Sequence, residues 1–409
     1  METRQVMERA FGAGIAAAAP DLALRAALVK RPVSTKGGKR VILAVGKAAV
    51  PMARVACEVL RPFDHFVLVT NPENATPVDG AELFASSHPV PDEIGLKASE
   101  RVIELLEPLG ADDQVIVLLS GGASSLLPAP KPGLSLAEKM AVNDLLLSSG
   151  LEITAMNLVR QSLSVLKGGG LLRLAQPASV RSFILSDVLG DDLRVVGSGP
   201  SIGPVGTPAE AMSLLKSNGL WERLPAAARA VIEAAPNETF DLEPDAMLIG
   251  SNGQSLEAMA RDAGATVSSE PLEGDVEDAA RRVVAEAISM PRGTMRAFGG
   301  ETTVVLIGKG RGGRNQELAL RVARQAKAQG LSGDWMFLSG GTDGRDGPTD
   351  AAGAIVDQDT LSALDAAGFD IDAVLASNDS YPALSAIGAL LMTGGTGTNV
   401  ADLQLMARG

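Results

Sequence analysis

The chain has 409 residues, 46% of them hydrophobic and 21% charged, and its 36 Lys plus Arg against 49 Asp plus Glu give a net charge of −13. That length exceeds one ordinary hydrophobic core and predicts two or three domains. A single cysteine, Cys57, and two histidines, His65 and His88, exclude an internal disulfide, a thiolate metal site and a histidine-rich metal centre.

The acidic balance and 3% aromatic content argue against a nucleic-acid surface. Apolar runs fall short of a membrane span, so a cytoplasmic protein with no membrane partner is expected. The first 24 residues predict an amphipathic helix rather than a signal peptide, because Arg4, Glu8 and Arg9 interrupt the apolar stretch.

Continuous β-branched runs then follow at 41–45, 65–70, 114–120, 181–186, 245–251, 302–308 and 335–341. Being continuous rather than alternating, they predict strands buried on both faces, as in a mainly parallel sheet. Helical patterns lie between them at 97–108, 136–149, 208–217, 254–263, 275–289 and 315–329. This alternation is the mark of α/β architecture. The stretch 220–244 has three prolines and no strand pattern. It therefore reads as the approach to a second domain. The expected division is a Rossmann-like α/β domain over 1–235 and a smaller α/β domain over 245–409, the final segment being free to pack back on the first.

Ligands of parallel sheets bind beyond the carboxyl ends of strands, and the glycine-rich polar clusters fall there. GKAA (46–49) carries Lys47, an ammonium suited to a phosphoryl group or a carboxylate. SGGASS (120–125) offers Ser120, Gly121, Gly122 and Ser124 as a phosphate cradle or as a tight turn. SDVLGDD (186–192) places Asp187 nearest the strand end, to orient or deprotonate a hydroxyl, and leaves Asp191 and Asp192 between metal binding and turn formation. GKGRGGRNQE (308–317) gathers Lys309, Arg311 and Arg314 among Gly308, Gly310, Gly312 and Gly313. That loop predicts an anion site at a helix N-terminus. TDGRDGPTD (342–350) holds Asp343, Asp346 and Asp350, again a magnesium or nucleotide site or a simple turn. Formally the glycines at 308, 310 and 313 satisfy G-x-G-x-x-G, but the following strand ends in Ser-Gly-Gly, not in the acid a dinucleotide fold requires.

Taken together, HPVPDE (88–93), LLSGGASSLL (118–127), KGGGLL (167–172), SDVLGDD, SGPSI (198–202), GGETTV (299–304), GKGRGGRNQELAL, GTDGRDGPTDAAGA (341–354) and TGTNVADL (396–403) resemble the glycerate kinases that make 2-phosphoglycerate. The resemblance spans roughly residues 5 to 405. It implies an N-terminal Rossmann-like domain, a leucine-rich C-terminal domain and ATP-dependent phosphorylation of D-glycerate with Mg2+ in the cleft between them. Lys47, Asp187 and Arg314 match the family's catalytic positions. Ser120, Gly121, Gly122, Ser124, Arg160, Lys167, Gly310, Gly312 and Gly313 then become substrate or phosphate contacts, and Asp191 and Asp343 candidate metal ligands. A homodimer is compatible with this. The chain has Gln161-Ser162 where the family usually carries Lys-His, and Gly170 where it carries Arg. Two other readings stay open: an NAD(P)H-dependent hydroxypyruvate reductase, the label many members carry, and a non-catalytic paralogue that binds nucleotide or sugar acid.

Overall fold

The continuous apolar runs become the centre of a parallel sheet. The structure, a computed structural model, describes residues 2–34, 37–236 and 239–409. Strands β1 (Arg40–Val45), β2 (His65–Thr70), β3 (Glu82–Ala85), β4 (Gln114–Leu119), β5 (Ser179–Leu185) and β6 (Asp245–Gly250) lie in the order β3-β2-β1-β4-β5-β6. The pairings among β1 to β5 are all parallel. Every residue of β1 and β4 is buried, as strands covered on both faces must be. Alternate side chains Val41, Leu43 and Val45 of β1 and Val115, Val117 and Leu119 of β4 share one core with Ala98, Val102 and Leu106 of helix Glu93–Leu106. The strand order reverses between β1 and β4, which is the topological switch point of a doubly wound sheet. The loops leaving those two strands are GKAA and SGGASS.

A helical cluster is attached to this sheet. Helices Leu136–Leu147, Ile153–Ser162, Pro208–Ser217 and Ala226–Ala234 enclose Leu146, Val159, Leu163, Leu215, Trp221 and Ile232. The 220–244 stretch is thus not featureless: Pro225 sits at the N-cap of Ala226–Ala234, where its missing N–H is no loss. Nor does β6 open a second sheet. It is the sixth strand of the first, so the sequence-based division at 235–245 falls too early.

The second sheet contains β7 (Thr266–Val267), β8 (Leu272–Asp275), β9 (Thr294–Thr303), β10 (Trp335–Gly341), β11 (Gly353–Asp357), β12 (Leu390–Leu391) and β13 (Asp402–Arg408), in the order β12-β11-β10-β13-β9-β7 with β8 beside β9. Its pairings from β12 through β9 are antiparallel, and only β7 and β8 join β9 in parallel. The expected mainly parallel arrangement holds for the first sheet and not for this one. Helices Val276–Ser289 and Arg314–Gln329 cover one face through Val283, Leu318 and Val322 over Phe298 and Phe337. On the opposite face, Met7 and Phe11 of helix Glu2–Ala17 join Met259, Leu338, Leu403 and Leu405.

Two differences from the sequence reading stand out here. The run 302–308 is not a strand: β9 stops at Thr303, where β8 ends too, and no further ladder partner is there to hold the chain. Val305, Leu306 and Ile307 are consequently 69%, 80% and 71% exposed. The last segment, β13, lies between β10 and β9 at the middle of its own sheet. By its internal contacts the chain forms two units, Ala23–Ile249 and Gly250–Gly409, the second joined by the residues up to Leu22. Among the described residues no single helix is long and apolar enough to cross a membrane.

Candidate active site

At the switch point, Gly46 and Lys47 leave β1 and are tied to the loop leaving β4. Lys47 N–H donates to Gly121 O at 2.9 Å, and Ala48 N–H to Ser120 Oγ at 3.1 Å. Ser120 is fully buried, so its hydroxyl joins the two loops together. It is not presented to a ligand. The next residues are arranged differently. Gly122 has φ +83°, a conformation open to glycine, and an added Cβ there would sit 3.1 Å from His88 Cδ2 and 3.2 Å from Lys47 Cγ. At Gly121 an added Cβ would collide with the Asp187 carboxylate. Lys47, His88 and Asp187 therefore all touch one two-glycine turn.

Among the described residues, the N–H groups of Gly121, Gly122, Ala123 and Ser124 have no hydrogen-bond acceptor. Successive free donors of this kind form an anion-binding concavity. Lys47 is half-buried, and among the described residues its ammonium has neither a hydrogen bond nor a salt bridge. Burial pushes the Asp187 carboxyl above its ordinary range, although the positive charge of Lys47 pulls the other way. His88 is driven down to about 4 by burial and then by Lys47, so it is a neutral imidazole at pH 7. Ser124 Oγ lies 2.9 Å from Ser198 Oγ, which in turn donates to Asn157 Oδ1 at 2.7 Å.

Asp191, four residues past Asp187, has φ +54° and a buried Oδ1 without a partner. No group of three or more Asp, Glu, His or Cys is placed to hold a metal among the described residues. Mg2+ commonly uses one or two carboxylates and completes its shell with phosphate oxygens and water. The orphaned, buried Asp191 oxygen could supply one such carboxylate.

The same turn borders a pocket of about 230 Å³ whose lining includes Gly122, Ser124, His88, Lys139, Arg160 and Lys167. Lys167 Nζ donates to Ser124 O at 2.7 Å and Leu127 O at 3.0 Å, and burial, then Arg160, lowers it to about 7. Arg160 donates to Asn143 Oδ1 at 2.6 Å. The departures from the family pattern have structural uses. Gln161 donates to Arg194 O and Ser198 O and accepts from Val205 N–H, bracing the loops behind Lys167. Ser162 returns its hydroxyl to Leu158 O at 2.9 Å.

In the second unit the glycine-rich loop is packed more tightly than its sequence suggests. A Cβ at Gly308, Gly310 or Gly312 would strike the 377–380 turn, and one at Gly313 would strike Asp346. Gly308 N–H donates to Asn378 Oδ1, Gly310 N–H to Ser377 O and Arg311 N–H to Asp379 Oδ1. The Gly310 amide is thus already used. Helix Arg314–Gln329 is capped internally: Asn315 and Gln316 N–H donate to the buried Asp346 carboxylate at 3.0 and 2.8 Å. Burial raises Asp346 to about 6 against those hydrogen bonds. Free amides remain at Gly312, Gly313 and Arg314 among the described residues. The Arg314 guanidinium is held by fully buried Asp402, at 2.6 and 2.9 Å, and by Glu301 at 2.8 Å. Burial opposes its charge, but the Asp402 hydrogen bonds and the two carboxylates raise its pKa above the ordinary value. Asp343 Oδ1 accepts from Arg345 N–H at 3.0 Å.

Sequence reasoning missed His88 as a neighbour of Lys47 and missed Lys139 altogether. His88 lay within HPVPDE, whereas a lysine in mid-helix carries no spacing signal.

The chain is similar to known proteins along nearly its whole length. Residues 6–233 match a domain of unknown function, DUF4147, and residues 294–402 match the MOFRL family. A D-glycerate 2-kinase from Thermotoga maritima is 40% identical over 95% of this chain and 94% of its own length. A protein from Agrobacterium vitis, provisionally named hydroxypyruvate reductase, is 39% identical over 100% of this chain and 95% of its own. A crystal structure of glycerate kinase from Thermotoga maritima superposes with a TM-score of 0.89 at 37% identity, covering 99% of each chain. The strand order, the switch-point lysine and full-length similarity converge: the chain belongs to the glycerate 2-kinase family.

Proposed function

We propose that the protein transfers the γ-phosphoryl group of ATP to the 2-hydroxyl of D-glycerate, releasing 2-phospho-D-glycerate and ADP. The observation that carries this is the Gly121–Gly122 turn, with four unpartnered amides, the unpaired Lys47 ammonium and the Asp187 carboxylate around it. Phosphoryl transfer asks a protein chiefly for alignment and for positive charge around the moving group. The free amides and Lys47 supply that to the phosphate oxygens. Asp187 accepts the proton of the 2-hydroxyl as that oxygen attacks phosphorus, and the bond from phosphorus to the ADP oxygen breaks. A carboxyl raised by burial is a better proton acceptor than an ordinary one.

Within the unit formed by 250–409, Arg314 and the free amides of Gly312 and Gly313 make an anion site of their own, suited to phosphate oxygens. Asp402 and Glu301 hold the guanidinium plane, leaving N–H groups of its fork for a ligand. Asp191 would hold Mg2+, which when bound neutralises charge on the transferring phosphate oxygens. Asp343, whose Oδ1 already accepts from Arg345 N–H, is a separate candidate carboxylate within the unit formed by 250–409. A cytoplasmic setting suits the single free cysteine.

The reductase alternative fits less well. Its formal glycine motif does not follow a strand, because β9 ends at Thr303 and the loop packs on the 377–380 turn. Two assays separate the readings. ADP formation should require both D-glycerate and Mg2+, and hydroxypyruvate should cause no oxidation of NADH or NADPH. Oxidation of either nucleotide without ADP formation would reverse the conclusion.

A further inference from the structure

The pocket beside Gly122 has an unusual charge balance. Lys139, Arg160 and Lys167 line it, and no aspartate or glutamate does. Three cations around a small space repel one another unless an anion or water compensates them. Their internal partners are all neutral. Lys139 Nζ donates only to Leu163 O, at 3.2 Å, leaving the rest of its three donors unused. Arg160 donates to the Asn143 amide, and its buried Nε has no partner at all. Lys167 alone is well satisfied, by two carbonyls. Burial, followed by Lys167, Lys131 and Arg160, drives Lys139 well below the ordinary lysine range. The charge there is costly and uncompensated by the protein.

The helix that bears Lys139 explains how the cations come to face one space. A capping box at Ser135 and Glu138 starts helix Leu136–Leu147. Positions 139, 142, 143 and 147 then fall on one face, and all four line the pocket. Val142, Leu147 and Leu163 supply an apolar wall beside the charged groups. At about 230 Å³ the space is below the 300–1,000 Å³ usual for drug-sized ligands, so it suits a small organic anion better than a nucleoside. Gly122 and Ser124 open it toward the turn that Lys47 and Asp187 touch.

We propose that this pocket binds the carboxylate of the acceptor acid, with Lys139 and Arg160 as its ligands and the Val142–Leu147–Leu163 wall against the carbon chain. Arg160 brings a planar fork matched to a carboxylate, and Lys139 selects acids over neutral alcohols. Gly122 lies at the end facing the reacting hydroxyl. The proposal rests on the kinase reading for the identity of the acid, though not for the existence of the site.

The test uses the full chain and the variants Lys139→Met and Lys139→Arg. In steady-state assays Lys139→Met should raise KM for D-glycerate on the order of 10- to 100-fold, by the worth of one charge-assisted hydrogen-bonded group. KM for ATP and kcat should move less than about threefold, and Lys139→Arg should recover most of the loss. Because the methionine removes a buried, repelled charge, its thermal midpoint should hold or rise, whereas a purely structural lysine would lower it. An unchanged KM for D-glycerate overturns the proposal, and so does a matching rise in KM for ATP, which would place a nucleotide phosphate there. Calorimetry with D-glycerate alone separates this site from the kinase reading. Lys139-dependent binding without turnover keeps the pocket and removes the kinase. Turnover indifferent to Lys139 keeps the kinase and removes the pocket, and absence of any binding heat overturns the pocket as well.

Discussion

Three side chains, Lys47, His88 and Asp187, touch the Gly121–Gly122 turn, and each owes its state to what surrounds it. Among the described residues Lys47 makes no salt bridge, so Lys47→Met should fold normally while kcat/KM falls about 10³-fold, the lower range for removing a transition-state cation. Stopped ADP release at an unchanged thermal midpoint is the check. His88 has the opposite character, since burial and Lys47 hold it down at about 4 against an ordinary 6.5. Between those values the unfolded chain binds more protons than the folded one, so stability rises with pH across that window. It is fully present above about 6.5 and is lost on acidification toward 4. Asp346, raised to about 6, contributes with the reverse sign between its ordinary value and 6. The difference between wild type and His88→Asn is therefore the informative quantity. Denaturant midpoints followed from pH 7 to pH 4 should show a shallower loss in the variant.

The elements that position these groups differ in how plainly the sequence announced them. Strands β1 and β4 are continuous apolar runs, and the helix starts are marked by caps such as Asp92, Ser135, Thr207 and Ser251. β13 was invisible because Asp402 and Gln404 interrupt its apolar pattern, yet both are fully buried; Asp402 is tolerated there only through Arg314. Conversely, 305–307 look like part of a strand and form an exposed segment. Strand formation needs a ladder partner, which periodicity cannot supply. The 308–313 loop shows the same dependence on distant chain. Its shape is set by Asn378, at φ +55°, which accepts from Ile307 and Gly308 N–H and donates to Glu317 Oε1 at 2.6 Å. Asn378→Ala should cost about 3 kcal/mol, from orphaned amides and left-handed strain together. Asn378→Gly should recover about 1 kcal/mol of that by relieving the strain alone. Equilibrium unfolding of the two variants measures the split.

At the scale of the whole molecule, chain order and spatial order part company. Helix Glu2–Ala17 begins the chain but completes the core of the unit formed by 250–409, where Phe11 meets Leu403 and Leu338. Phe11→Ala should cost that unit about 3–5 kcal/mol, seen as an earlier thermal transition. An amphipathic first helix was legible in the sequence; its destination was not, because apolar faces specify burial without naming a partner. The site was legible to the extent that it sits on strand exits: Lys47, Gly122 and Asp187 follow from topology. Lys139 does not, since only the packed helical cluster turns it inward. The account as a whole is tested most directly by one incubation of the protein with ATP, Mg2+ and D-glycerate, read by phosphorus NMR. A new phosphate ester on the second carbon of the acid, accompanied by ADP, is the predicted spectrum. Unchanged ATP resonances, or an ester on the third carbon, would contradict it.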